Sequence, residues 1–188
     1  DQHGWTIVDT GINTKACKQL WQQVFDQHLK GKPVTQLIVT HLHPDHVGLA
    51  GWLCERWNLT LQMSRTDYMT CRVLMSDTGK QAPQAAIDFY CRAGVSEQQL
   101  KTYKSKFGGY GKGIYAMPDH YLRLQDKDTV TMADAEWQII VGRGHAPEHV
   151  CLYCPSLNVF IAGDQLLPTI SSNISVWPTE PDSDPLKE

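Results

Sequence analysis

Thr40-His41-Leu42-His43-Pro44-Asp45-His46-Val47-Gly48 follows directly on the apolar run Leu37-Ile38-Val39. A short β-branched run that stops abruptly at His and Asp reads as a buried strand presenting polar side chains at its carboxyl end. His41 and His43 are two apart, so an extended or tight-loop backbone turns both imidazoles to one side. Asp45 and His46 then point elsewhere, which suits a second ion beside the first. Imidazole and carboxylate together suit zinc and also tolerate iron or manganese. A solvated loop would crowd three imidazoles and a carboxylate together for no reason; a cation supplies one.

His-x-His-x-Asp-His after a hydrophobic strand resembles the signature of the metallo-β-lactamase-fold hydrolases, a superfamily of thioesterases of the glyoxalase II type, lactonases, β-lactamases and some nucleases. The resemblance implies an α/β fold, an αββα sandwich. Further ligands should then follow in order at later strand ends. Trp137-Gln-Ile-Ile-Val141 runs into Gly142-Arg143-Gly144-His145-Ala146-Pro147-Glu148-His149, which is similar to the family's Gly-His-Thr-x-Gly-His segment. His145 takes the ligand position. Ala146 stands where Thr is usual and Glu148 where a small residue is usual, changes expected to act on loop packing and substrate access. His149 reads as a supporting or structural residue. Asp164, after Asn158 to Ala162 and Gly163, falls where the family places a carboxylate bridging two metals. Asp9, in Trp5-Thr-Ile-Val-Asp9-Thr-Gly11, reads as an Asx-turn cap, and by resemblance also braces the ligand loop.

The chain of 188 residues is 41% hydrophobic and 20% charged, which fits one globular domain with a real core. The expected domain is 1–188, with a helical insertion at about 64–118. A net charge of -3 gives no polyanion footprint; only Lys101, Lys104, Lys106 and Lys112 form a loose basic group, so no nucleic-acid partner is expected. No apolar run approaches the roughly 20 residues of a membrane span, and no membrane partner is expected. The six cysteines are scattered and read as reduced, which suits a cytoplasmic protein. Cys151-Leu-Tyr-Cys154 has a zinc or redox spacing, but within a strand residues three apart face opposite sides.

In chain order, Thr14 to His28 carries a helical apolar stripe with Asn13 or Thr14 as N-cap. Strand Gln36 to Thr40 follows, then a helix from about His46 to Trp57 whose N-terminal dipole would support Asp45, and a strand at Leu59 to Met63. Helices are expected from Ser64, over Gln84 to Ala93, and over Ser96 to Phe107, the last opened by the capping box Ser96-Glu97-Gln98-Gln99. Gly108 to Gly113 reads as a mobile connection. The insertion reads as a lid or pocket wall, with Tyr68, Tyr110 and Tyr115 as lining. Tyr121 to Leu124, Thr129 to Met132 and Trp137 to Val141 read as antiparallel strands, and Val150 to Tyr153 with Asn158 to Ala162 as a hairpin.

The family would place strands before Gly4-Trp5 and a last His ligand beyond Pro185, so the chain reads as an incomplete domain. The resemblance implies that His41, His43 and His145 hold one ion and Asp45 and His46 a second, with Asp164 between them and less than full occupancy of the second site. Bound metal lowers the pKa of water from ~15.7 to about 7, on the order of 12 kcal/mol in the cost of hydroxide. A metal-bound hydroxide oriented by Asp45, the expected catalytic carboxylate, would cleave an ester, thioester or lactone of a small acyl substrate. A phosphodiesterase or nuclease of the same superfamily is the alternative, needing phosphate-tracking Lys and Arg. A non-catalytic metal-binding module is the third reading.

Overall fold

A computed structural model describes residues 2–188; residue 1 of the expected domain lies outside them. The first half alternates strand and helix. Strand β1 (Trp5–Val8), helix α1 (Lys15–His28) and strand β2 (Val34–Ile38) form a unit in which β1 and β2 pair in parallel. Thr14 caps α1, its side chain accepting from the Cys17 N–H. Strand β3 (Leu61–Ser64) pairs in parallel with β2.

The expected helix from His46 to Trp57 is two helices, α2 (Pro44–Val47) and α3 (Ala50–Trp57). The break falls at Gly48. A Cβ there would lie 2.3 Å from the Pro44 carbonyl oxygen and 2.7 Å from those of Gly11 and Gly113. Three backbones converge on this position, and only glycine leaves room. With a single turn in α2, the long-helix dipole expected behind Asp45 falls away.

The insertion consists of α4 (Arg65–Ser76), α5 (Gln84–Arg92), α6 (Glu97–Lys106) and a 3₁₀ turn at Tyr110–Gly113. The Ser96/Gln99 capping box is present. The glycine-rich run is a packed junction and not the mobile connection expected. Gly113 accepts from the Asn13 N–H, and Gly79 N–H donates to the Gly108 carbonyl.

Strand β4 (Tyr121–Leu124) joins the first sheet, parallel to β3 with Ser64 opposite Leu124. The antiparallel pairing expected of this segment is therefore wrong: the chain changes sheets at Gln125–Asp128, a turn closed by the Asp128 carboxylate accepting from the Gln125 N–H. Strands β5 (Thr129–Met132), β6 (Ala135–Gly142), β7 (His149–Cys154) and β8 (Val159–Ile161) form an antiparallel second sheet in chain order.

Adjacent residues of β2 face different cores, as the pleat requires. Leu37 packs with Phe25, Leu53 and Met63 under the helices, whereas Ile38 packs with Leu124, Ile139 and Leu152 between the sheets. Both are fully buried. The outer face of the second sheet carries Ile140 and Phe160, each exposed. Cys151 and Cys154 lie on opposite faces of β7, and all six cysteines are free.

Candidate metal centre

The carboxyl ends of β2 and β6 and the turn after β8 meet at one place. His41, His43, His145 and Asp164 each bring a ligand atom there, and these atoms lie within 4.8 Å of one another. His41 Nε2 is 2.9 Å from His43 Nδ1 and 3.3 Å from His145 Nε2. Asp164 spans toward both proposed sites, with Oδ2 3.6 Å from His145 Nε2 and Oδ1 3.4 Å from His46 Nε2. Asp45 Oδ2 lies 3.6 Å from His46 Nε2, on a side chain 71% exposed. The structure thus brings all six sequence-derived candidates together, with Asp45 and His46 at the rim of the four-residue cluster.

The surrounding hydrogen bonds determine where the lone pairs point. Asp9 accepts from the Thr40 N–H at 2.8 Å and from the Thr40 hydroxyl at 2.9 Å. With its proton spent on Asp9, the Thr40 oxygen accepts from His41 Nδ1 at 2.9 Å, which leaves His41 Nε2 bare. His46 Nδ1 donates to Asp9 Oδ2 at 2.8 Å, which turns its Nε2 toward Asp45 and Asp164. His145 Nδ1 donates to the Asn173 carbonyl at 2.9 Å, which turns its Nε2 toward His41. Donation from the outer ring nitrogen to a carboxylate or carbonyl is how proteins orient metal-bound histidines. Asp9 itself sits at φ 62, a left-handed conformation that Asp tolerates. The supporting role expected of it holds, and it reaches two histidines.

His149 takes the supporting role expected of it. It is fully buried, stacks on His41 at 4.5 Å between centroids, and its Nε2 accepts from the Asp164 N–H at 3.1 Å. Gly163 is required beside it: φ is +51, and a Cβ would come within 2.6 Å of the His149 ring.

Burial and the neighbouring imidazoles hold His41, His43 and His149 neutral. His41 is fully buried; desolvation first, then His46, His149, His43 and His145, push its pKa far below the usual imidazole value. Burial, then His145, lowers His43. Burial, then His145, lowers His149 to about 4. For His46 burial acts downward, but the Asp9 hydrogen bond and the Asp9, Asp164 and Asp45 charges outweigh it and raise the pKa. Neutral imidazoles with converging lone pairs are the state a metal ion needs. Three ring nitrogens and a carboxylate oxygen suit zinc or iron.

Two groups escaped sequence reasoning. Asp67 is fully buried, and its carboxylate accepts from the backbone N–H of Leu42 and of Glu148. Its only local signal was an acid in the first turn of a helix, which ordinarily faces water. The Asn173 carbonyl carries no signal at all. The expected tyrosine lining is also corrected. Tyr68 donates to the Pro118 carbonyl and stacks on Tyr121, Tyr110 donates to the Leu42 carbonyl, and Tyr115 donates to Glu55. The Tyr110 and Tyr115 hydroxyls, and the Tyr68 ring against Tyr121, tie the insertion to the frame. Glu148 acts on packing, as expected: its carboxylate caps α4 by accepting from the Thr66 N–H at 2.8 Å, where Ser64 makes no side-chain cap.

Comparison with known proteins places this geometry. Residues 1–186 match the family model described as the metallo-beta-lactamase superfamily. The "Probable metallo-hydrolase YflN" of Bacillus subtilis (strain 168) is 24% identical over 168 residues, covering 89% of this chain and 57% of that protein. A beta-lactamase domain protein from Burkholderia ambifaria has a crystal structure with 40% identity and a TM-score of 0.86, covering 98% of this chain and 52% of its own. A metallo-beta-lactamase family protein from Thermus thermophilus, 23% identical with a TM-score of 0.77 over 98% of this chain and 58% of its own, shares the fold. The chain spans about half the length of the curated relatives it matches. Sequence match, sheet pairing and ligand order agree: the chain belongs to the metallo-beta-lactamase superfamily.

Proposed function

We propose that the protein is a metal-dependent hydrolase of small acyl substrates, acting on an ester, thioester or lactone bond. The observation that supports this best is the convergence of His41, His43 and His145 ring nitrogens with Asp164, the outer nitrogens of His41 and His145 being held by Thr40 and the Asn173 carbonyl. His41, His43, His145 and Asp164 would hold one ion; Asp45 and His46, with Asp164 between, would hold a second. An ion held there would supply a bound water of pKa about 7 and a Lewis acid for a carbonyl oxygen. Asp45, at the exposed rim, is placed to accept a proton from the attacking water and to keep it oriented. His41 and His43 stay neutral, so they present lone pairs at neutral pH.

The donor set favours zinc; the superfamily also accommodates iron, since TTHA1623, a protein of similar fold, was solved in a di-iron-bound form. A net charge of -3 supports an acyl substrate over a polyanion. No helix is long and apolar enough to cross a membrane among the described residues. Six free cysteines support a cytoplasmic setting.

A panel of thioester, lactone, β-lactam and phosphodiester substrates, assayed with the full-length protein after metal removal and after adding zinc or manganese, tests the reading. Metal-dependent turnover of a thioester or lactone, lost in His41→Ala and His145→Ala, is expected. Turnover confined to phosphodiesters, or surviving in both variants without metal, overturns it.

A further inference from the structure

One buried carboxylate of the helical insertion reaches both ligand loops. Asp67 lies in the first turn of α4 and is fully buried. Its Oδ1 accepts from the Leu42 N–H at 2.9 Å, and its Oδ2 accepts from the Glu148 N–H at 2.8 Å. Leu42 stands between His41 and His43, and Glu148 stands three residues after His145. The two oxygens of one side chain therefore join the early and late ligand loops, Asp67 itself lying 25 residues from Leu42 and 81 from Glu148. Leu42 is also held through the next peptide, where the Tyr110 hydroxyl donates to the Leu42 carbonyl. Glu148 returns the contact by accepting from the Thr66 N–H beside Asp67.

We propose that Asp67 is a positioning residue for the metal centre: by tying Leu42 to Glu148 it sets the separation between His41 and His43 on one loop and His145 on the other. This makes the insertion a clamp on the ligand loops, and it rests on the metal-centre reading above. Burial raises the Asp67 pKa to about 6, although both backbone N–H groups act the other way, so the group is ionised at neutral pH and both oxygens accept. Few alternatives fit. An amide has one oxygen and would turn its NH₂ toward a backbone N–H, so it can serve only one of the two loops. Groups that orient ligands from behind typically change metal affinity by roughly 10–100-fold when removed.

Chelator-competition titration with zinc, together with the visible spectrum of the cobalt(II)-substituted protein, tests the proposal on full-length wild type and variants. In Asp67→Asn, zinc affinity should fall roughly 10–100-fold and the cobalt spectrum should shift. Tyr110→Phe removes only a hydroxyl and should move both readouts the same way by less. Phe25→Leu, on α1 where Phe25 stacks on Trp21 and Trp52, supplies a general loss of stability and should keep wild-type affinity and spectrum. Wild-type affinity and spectrum in Asp67→Asn would overturn the proposal, as would an equal loss in Phe25→Leu. If Asp67→Asn does not fold, Tyr110→Phe decides, and unchanged readouts there overturn it. Unchanged zinc affinity in His41→Ala would instead sink the metal-centre reading itself, and this proposal with it.

Discussion

Asp9 serves three donors with two oxygens: the Thr40 N–H, the Thr40 hydroxyl and His46 Nδ1. Asn tolerates the left-handed backbone at φ 62 as well as Asp does, so Asp9→Asn should fold. It cannot accept on both sides, and the protons on His41 and His46 are then no longer directed outward. Zinc affinity should drop by roughly 10–100-fold; an unchanged affinity in the same chelator competition would show that the relay through Thr40 does not matter. The imidazoles also make an acid prediction for the metal-free protein. His149 is held down to about 4, below its ordinary 6.5, and His41 and His43 are lowered too. Between those values the unfolded chain binds more protons than the folded one, so stability is present above pH ~6.5 and is lost as pH falls toward about 4. His149 alone contributes on the order of 3 kcal/mol to that loss. Urea midpoints of the metal-free protein should fall steadily across this window, and a flat profile would contradict the burial of neutral imidazoles.

At the scale of elements, α4 depends on a cap borrowed from the second ligand loop. Ser64 occupies its N-cap without a side-chain bond, and Glu148 supplies the acceptor from 82 residues away. Glu148→Ala should cost about 0.5–2 kcal/mol, whereas Glu148→Gln keeps an acceptor oxygen and should recover most of it; thermal midpoints of the two variants separate these outcomes. The break between α2 and α3 makes a second case. At Gly48 a methyl group meets three carbonyl oxygens of the backbone, none of which can rotate away. Gly48→Ala should therefore destabilise by about 1–3 kcal/mol, where a glycine-to-alanine change in an unobstructed helix would stabilise. A raised thermal midpoint would mean that α2 and the glycine-rich junction are free to separate. That junction was misread in the sequence because glycine runs usually signal freedom; here they mark close approach of backbones.

For the whole molecule, the two proposed ion sites are unequal. The four-residue cluster is compact, whereas Asp45 and His46 share Asp164 with it and lie at the rim. The 188-residue chain should bind one tight equivalent of zinc and a second weakly; two equally tight equivalents by elemental analysis would refute this. The alternation of apolar and polar residues already located most of the strands and helices. The ligand types at strand ends already located the chemistry, because periodicity and residue identity are local. Strand partnership was not legible. Tyr121–Leu124 carries the same pattern in either sheet, and it pairs with β3 because Leu124 completes the core between the sheets. Nor was the support of the ligands legible, since the Leu42, Glu148 and Asn173 contacts are made by backbone groups that every residue carries. The sequence by itself determined the family, most of the helices and the six candidate ligands. Only the tertiary structure decided that Asp67 joins the two ligand loops and that the tyrosines brace the frame, because both depend on segments distant in sequence meeting in a core.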